Sequence, residues 1–251
     1  MTYRELSAQA LAERDFDAFL VELERSLTDG RRDPNDVVRD TLCEIYFGRL
    51  PDELNELNFA TRALVHNLDP RNVTTEPEYY SDIDAKRYAE RKPFIWLWQM
   101  FDRSPLGQNA LIGHRFRRML APLIFRKVGN NFKCWHFVEW SFGYNLSIGD
   151  DVVIHRYVLL DDRGGIELGD NVSISDYANI YSHTHDIYDI QKVLTPQTRI
   201  GNGVRITYHA TVLAGSQIGD QALVGTSAVV TRNVEPRHIV VGIPAKTAKI
   251  K

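Results

Sequence analysis

One spacing constrains this chain more than any other: an aliphatic residue at every sixth position through most of its second half. Ile148, Ile154 and Leu160 open the series, and Leu168, Ile174 and Ile180 continue it after a slip of two residues. Ile200, Ile206, Val212, Ile218, Val224 and Val230 then run without interruption. A period of six fits neither an amphipathic helix nor a half-buried strand. It fits a parallel β-helix, in which each hexapeptide forms one short side of a triangular prism and three form a coil. The aliphatic side chain fills the narrow interior. The residue four places on is never large (Val152, Val158, Gly164, Val172, Ala178, Thr184, Val204, Ala210, Ser216, Ala222, Ala228, Val234), as an inward position beside a corner requires. Gly149-Asp150, Gly169-Asp170-Asn171, Gly201-Asn202 and Gly219-Asp220 supply turn chemistry at the corners.

The first half obeys a different period. Residues 3–27 carry Leu6, Ala10, Leu11, Phe16, Leu20 and Leu27 at helical spacing, with Gly30 as the stop. Asp33-Pro34 reads as the start of a second helix running to Phe47. A third is expected over 52–67, a polar loop over 71–77, and further helices over 84–101 and 106–127. The fold class is therefore α+β, with a helical N-terminal region (1–127) followed by a β-helix domain (128–251).

Composition limits the function classes. The 251 residues include 30 basic and 33 acidic side chains, a net charge of −3 that gives no electrostatic footprint for nucleic acid. Cys43 and Cys134 form no C-x-x-C pair, which argues against a disulfide framework or a zinc ribbon. Met1-Thr2-Tyr3-Arg4-Glu5 lacks the layout of a signal peptide, and the apolar cluster 93–101 is too short to span a bilayer. A cytoplasmic location is the expectation.

The coil carries several distinctive stretches. Ser141-Phe142-Gly143-Tyr144-Asn145 opens it and Leu160-Asp161-Asp162 follows; then come Ile180-Tyr181-Ser182-His183-Thr184-His185-Asp186 and Val229-Val230-Thr231-Arg232-Asn233-Val234. Val241-Gly242-Ile243-Pro244-Ala245-Lys246 closes the set. In these motifs the chain resembles the hexapeptide-repeat, left-handed β-helix acyltransferases, and most closely the maltose, galactoside and colanic-acid types of acetyltransferase. The resemblance covers residues 128–251. It implies a left-handed coil, an exception to the right-handed crossover rule. It also implies acetyl-CoA as co-substrate, no metal, a saccharide or other small-molecule acceptor, and a homotrimer closed by heterologous contacts.

Candidate site residues come from both sources. The step from Ile180 to Ile200 exceeds one hexapeptide by fourteen residues, so a loop leaves the prism there with His183 and His185 at its root. Acyl transfer to a hydroxyl needs a base, and imidazole suits that role near neutrality. The family motif places the catalytic histidine at His185. Counting from Leu160 and Ile180 as stacked residues sets Asp161 beneath Tyr181 and Asp162 beneath Ser182. Ser141, Asp161, Asp162 and His183 are thus the candidate acceptor-binding residues, with His155 and Arg156 near a further one. For the donor, Thr231 and Arg232 match a Thr-Lys pair of the family, and Lys246 lies in the basic tail. Arg205, Thr207 and Thr226 flank the family's cofactor cleft, where typical members carry Val-Trp-Ile-Gly and Gly-Ala-Gly instead of Val204-Arg205-Ile206-Thr207 and Gly225-Thr226-Ser227.

Three other readings make distinct claims. A γ-type carbonic anhydrase would share the coil but needs two histidines five residues apart; His209 is followed at that distance by Ala214 and His155 by Leu160. A non-catalytic trimeric scaffold would put its partner site on the helical half. Residues 115–127 hold Arg115, Arg117, Arg118, Arg126 and Lys127 without an acid, interleaved with apolar residues. That stretch reads either as a membrane-surface helix or as a basic-faced helix capping the coil.

Overall fold

In the computed structural model, residues 4–49, 51 and 57–251 are described. They form two compact units, Met1–Tyr79 with Ala85–Leu123, and Tyr80–Asp84 with Ile124–Lys251.

The first unit is helical: α1 (Ala10–Thr28), α2 (Pro34–Phe47), α3 (Phe59–Leu68), α4 (Ala85–Arg103) and α5 (Ala110–Ile124). Asp33 caps α2 by accepting from the Asn35 N–H, with Pro34 in the first turn. Asn58 caps α3 by accepting from the Thr61 N–H; the earlier start expected at residue 52 lies outside the described residues. The first helix begins at Ala10 rather than at residue 3. Leu6 is exposed there, so residues 4–9 have nothing to pack against. The expected loop over 71–77 contains parts of two 3-10 turns, Pro70–Asn72 and Glu76–Tyr79. The segment expected as one helix over 106–127 is a 3-10 turn, Pro105–Gln108, followed by α5, and Lys127 already belongs to the coil.

α5 turns its apolar side inward. Its apolar side chains Phe116, Leu120 and Ile124 are buried, with Phe116 stacked on Phe101 at 3.7 Å. Arg117 is buried too, where its guanidinium donates to Asp102 Oδ1 from Nε (2.9 Å) and Nη2 (2.6 Å). A buried cation survives only with such a partner. Among the described residues, no helix is long and apolar enough to cross a membrane.

The second unit is the three-sided parallel coil, matching the left-handed β-helix. Its first side stacks strands Lys127–Val128, Leu146–Ile148, Ile166–Leu168, Thr198–Ile200 and Gln217–Ile218. The second stacks Lys133–Cys134, Val153–Ile154, Ser173–Ile174, Arg205–Ile206, Leu223–Val224 and His238–Val241, with Lys246–Ile250 folded back antiparallel. The third stacks Glu139–Trp140, Leu159–Asp161, Asn179–Tyr181, Thr211–Val212 and Val229–Val230. All twelve sixth-position aliphatic residues are buried. The small-residue rule fails at one corner. Gly164 is half-buried, because two extra residues intervene there, and Thr184 is exposed, because it lies in the excursion of fourteen extra residues; Leu146, Ile166, Thr198 and Ser216 fill that interior column instead.

The other two corners explain the turn residues. Between the first and second sides, Asp150, Asp170, Asn202 and Asp220 each accept a backbone N–H from the preceding coil at 2.6–2.8 Å. A Cβ on Gly149 would overlap Asp170 Oδ1, so close stacking demands glycine there. Between the second and third sides, Phe137, Tyr157, Tyr177 and His209 occupy left-handed backbone at φ +57° to +62°. Their rings stack at 5.3, 4.9 and 4.9 Å, about one strand spacing. Such contacts offset the cost of that conformation for bulky residues.

Candidate functional site

The corner between the third and first sides collects most of the candidate residues. The predicted register holds: Leu160 pairs with Ile180 and Asp161 with Tyr181. Successive coils therefore bring Ser141, Asp161 and His183 together. The Ser141 hydroxyl donates to Asp161 Oδ1 at 3.1 Å, and His183 Nδ1 contacts Asp161 Oδ2. Asp161 is 4% exposed, so this carboxylate depends on those partners. Ser182, also buried, locks the corner by donating to the Asp161 carbonyl (2.5 Å) and accepting from the Gly164 N–H (2.9 Å).

Asp162 faces the other way. It is fully buried and accepts backbone N–H groups from Phe142 (2.7 Å) and Asn145 (3.1 Å). Burial pushes its carboxyl up to about 6 against the opposing pull of those donors. It pins the 141–145 turn and has no surface to offer an acceptor, which corrects its assignment as an acceptor-binding residue.

Beyond Tyr181 the chain leaves the prism as a hairpin, Thr184–His185 pairing antiparallel with Val193–Leu194. At its tip Asp186 accepts from the N–H groups of Tyr188 (2.9 Å) and Asp189 (3.1 Å), which hold its carboxyl below the ordinary range. His185 is exposed, and its Nδ1 lies 3.0 Å from the Ile190 carbonyl oxygen. A carbonyl only accepts, so Nδ1 carries the proton and the neutral ring presents Nε2 as a lone pair. The His183 and His185 rings meet edge to face at 5.7 Å.

The donor candidates fall into two groups. Thr231, Arg232 and Lys246 line one cavity of about 370 Å³. Val230 pairs with Val212 and Val212 with Ile180, which sets Thr231 and Arg232 on the His183 corner, two coils along. Arg205, Thr207 and Thr226 lie instead on the second side and the turn after it. Arg205 is exposed; Thr207 donates to the Val224 carbonyl at 2.8 Å, and Thr226 donates to the Thr207 hydroxyl at 3.4 Å. His155 and Arg156 also sit on that corner, where Arg156 donates to Asp176 at 2.9 Å and His155 stacks on Trp135. One chain does not bring these residues to His185. A cavity of about 930 Å³ runs along the first side and touches none of the candidates. Among the described residues, no group of three or more His, Cys, Asp or Glu is placed to hold a metal.

Sequence reading missed the segment Tyr80–Asp84, which belongs with the coil although both its chain neighbours belong to the helical unit. Asp82 accepts two hydrogen bonds from the Arg163 guanidinium (Nε 3.0 Å, Nη2 2.8 Å), which also lies over the Tyr80 ring at 4.4 Å. The Asp84 N–H donates to the Tyr144 hydroxyl at 2.8 Å. No local pattern signals a contact across 81 residues.

No protein-family model matches the chain. The galactoside O-acetyltransferase of Escherichia coli (strain K12) is 26% identical over 137 residues, spanning 53% of this chain and 68% of that one. The crystal structure of a maltose O-acetyltransferase from Clostridium difficile 630 aligns with a TM-score of 0.58 at 26% identity, covering 70% of this chain and 97% of that one. A galactoside acetyltransferase in complex with coenzyme A shares the fold, with a TM-score of 0.59 at 24% identity over 68% of this chain and 85% of that one. In fold and in the sequence of its coil, this chain resembles the hexapeptide-repeat acetyltransferases.

Proposed function

We propose that this protein is an acetyl-CoA-dependent O-acetyltransferase acting on a saccharide hydroxyl, with His185 as the general base. The observation that carries this reading is the hydrogen bond from His185 Nδ1 to the Ile190 carbonyl. It leaves Nε2 free to take a proton, on a ring that stands exposed and edge to face with His183 at 5.7 Å rather than buried in the coil. The acceptor hydroxyl oxygen attacks the thioester carbonyl carbon as its proton passes to Nε2. The tetrahedral adduct then expels the thiolate, which recovers that proton from the imidazolium. No acyl-enzyme is needed when donor and acceptor bind together. Asp161, Ser141 and His183 are suited to hold the acceptor through hydrogen bonds, and Thr231, Arg232 and Lys246 to meet donor phosphates with charge-assisted ones.

The active unit on this reading is a homotrimer. Arg205, Thr207 and Thr226 would then face His185 from an adjacent chain, as a heterologous ring allows. Names of the relatives motivate the first acceptors to try, galactosides and maltose. Free thiol released from acetyl-CoA should depend on the acceptor, and His185→Ala should lower kcat/KM by at least about a hundredfold. A variant that keeps full turnover would show that another group is the base.

A further inference from the structure

Asp161 stands two residues before Arg163, whose N–H points to Asp161 Oδ1 at 3.4 Å. The same molecule shows that an arginine in that relation can bind the carboxylate two residues back, even with a second carboxylate, Asp36, accepting from its Nη2 at 2.6 Å. Arg71 follows Asp69 by two, and its N–H donates to Asp69 Oδ1 at 3.0 Å. Its guanidinium folds back onto the same carboxylate, with Nε 2.9 Å from Oδ1 and Nη2 2.8 Å from Oδ2. A planar guanidinium that can bind a carboxylate through two bonds outcompetes a single imidazole N–H. At Asp161 this does not happen. The Arg163 guanidinium is turned to Asp82 and packed over Tyr80, its side chain only 6% exposed, and Asp161 Oδ2 faces His183 instead.

We infer that Asp82 is a positioning residue: it draws the Arg163 guanidinium away from Asp161 and so leaves that carboxylate to His183. Tyr80 supports the diversion by giving the cation an aromatic face as well as a counter-charge. The segment Tyr80–Asp84 thereby acquires a role in the site without touching a reacting atom. Its effect on turnover rests on the acetyl-transfer reading; its effect on His183 does not.

The test uses three variants of the full chain: Asp82→Ala, Arg163→Gln and the double variant. The first readout is the NMR signature of His183, its Nδ1 chemical shift and the retention of its Nδ1 proton, which reports the contact with Asp161 independently of any substrate. In Asp82→Ala the freed guanidinium should fall back onto Asp161, and the His183 signature should collapse to that of a solvated imidazole. Arg163→Gln alone should keep the signature. The double variant should recover it, because the competing cation is gone. With acetyl-CoA and a galactoside acceptor, kcat/KM should fall about tenfold in Asp82→Ala, as the His183–Asp161 contact is lost, and return in the double variant. The pH profile of kcat should change only in Asp82→Ala. A purely structural strap predicts the opposite order, with the double variant at least as impaired as either single one, and that result overturns the inference. So does loss of the signature in Arg163→Gln, a variant that tests the idea even if Asp82→Ala does not fold. A wild-type chain with the His183 signature intact but no acetyl transfer would instead count against the functional reading, and the NMR comparison would still decide the role of Asp82.

Discussion

Asp161 and Asp162 are adjacent, equally charged and almost equally buried, yet one faces His183 and the other a ring of backbone donors. Their position on the corner is legible in the six-residue period, but the direction of each side chain is not, because two inserted residues break the alternation there. The environment of Asp162 has a measurable consequence. Its carboxyl is raised to about 6, so between the ordinary value of about 3.9 and 6 the folded chain holds a proton that the unfolded chain has released. Folding stability attributable to Asp162 therefore falls as pH rises through that interval and is constant above it, by a total on the order of 2–3 kcal/mol. Asp33, Asp69 and Glu78 have the opposite sign. Their carboxyls are held low by hydrogen bonds and, for Asp69 and Glu78, by a neighbouring cation, so the stability they add is lost only as pH falls below about 4. Urea unfolding of wild type and Asp162→Asn between pH 4 and 7 separates the two. The difference between the curves should slope through that interval and flatten above it; a constant difference would show that Asp162 titrates normally.

At the level of elements, the repeat made the coil readable because, beside a second inward residue near the corner, each side turns an aliphatic side chain into the interior at a fixed place. A six-residue period leaves no freedom about which residue that is, and every aliphatic position it marks is buried. Asp33-Pro34 was equally readable, since a cap and a fixed φ are local chemistry. The start of α1 was not, because amphipathic spacing says which face is apolar but not where its packing partner ends. The hairpin belongs to a third kind. Its existence follows from the interrupted period, while the role proposed for it rests on geometry at Ile190. Ile187, Tyr188 and Ile190 are 72–92% exposed, so the coil does not rely on them. Replacing residues 187–191 by a tight Asn-Gly turn should therefore change the free energy of unfolding by no more than about 0.5 kcal/mol. It should also remove the carbonyl that holds the His185 proton on Nδ1 and lower acetyl transfer by about tenfold. Unfolding curves and thiol release on the same preparation measure both. A large loss of stability would mean that the hairpin is part of the coil's packing rather than an arm carrying the base.

For the whole molecule, the candidate residues are split in a way that sequence order conceals. His185, Thr231 and Arg232 share one corner of the prism, whereas Arg205, Thr207 and Thr226 occupy the second side and the turn beyond it. A rigid three-sided coil about one strand triplet wide cannot fold these two groups onto each other. A site that uses both must be closed by a second copy, the arrangement proposed for the trimer. Complementation distinguishes that arrangement from a site complete in one chain. His185→Ala removes the base, and Thr226→Trp fills the turn beside Thr207; each variant alone should transfer acetyl groups at a small fraction of the wild-type rate. Subunits of the two are mixed in equal amounts under conditions that exchange chains, and the mixture is checked by light scattering for a mass three times that of one chain. Random assembly then gives about one interface in four with an intact His185 facing an intact Thr226, and about a quarter of wild-type turnover should return. If base and donor residues act within one chain, every chain in the mixture carries a defect, and no activity returns at any mixing ratio.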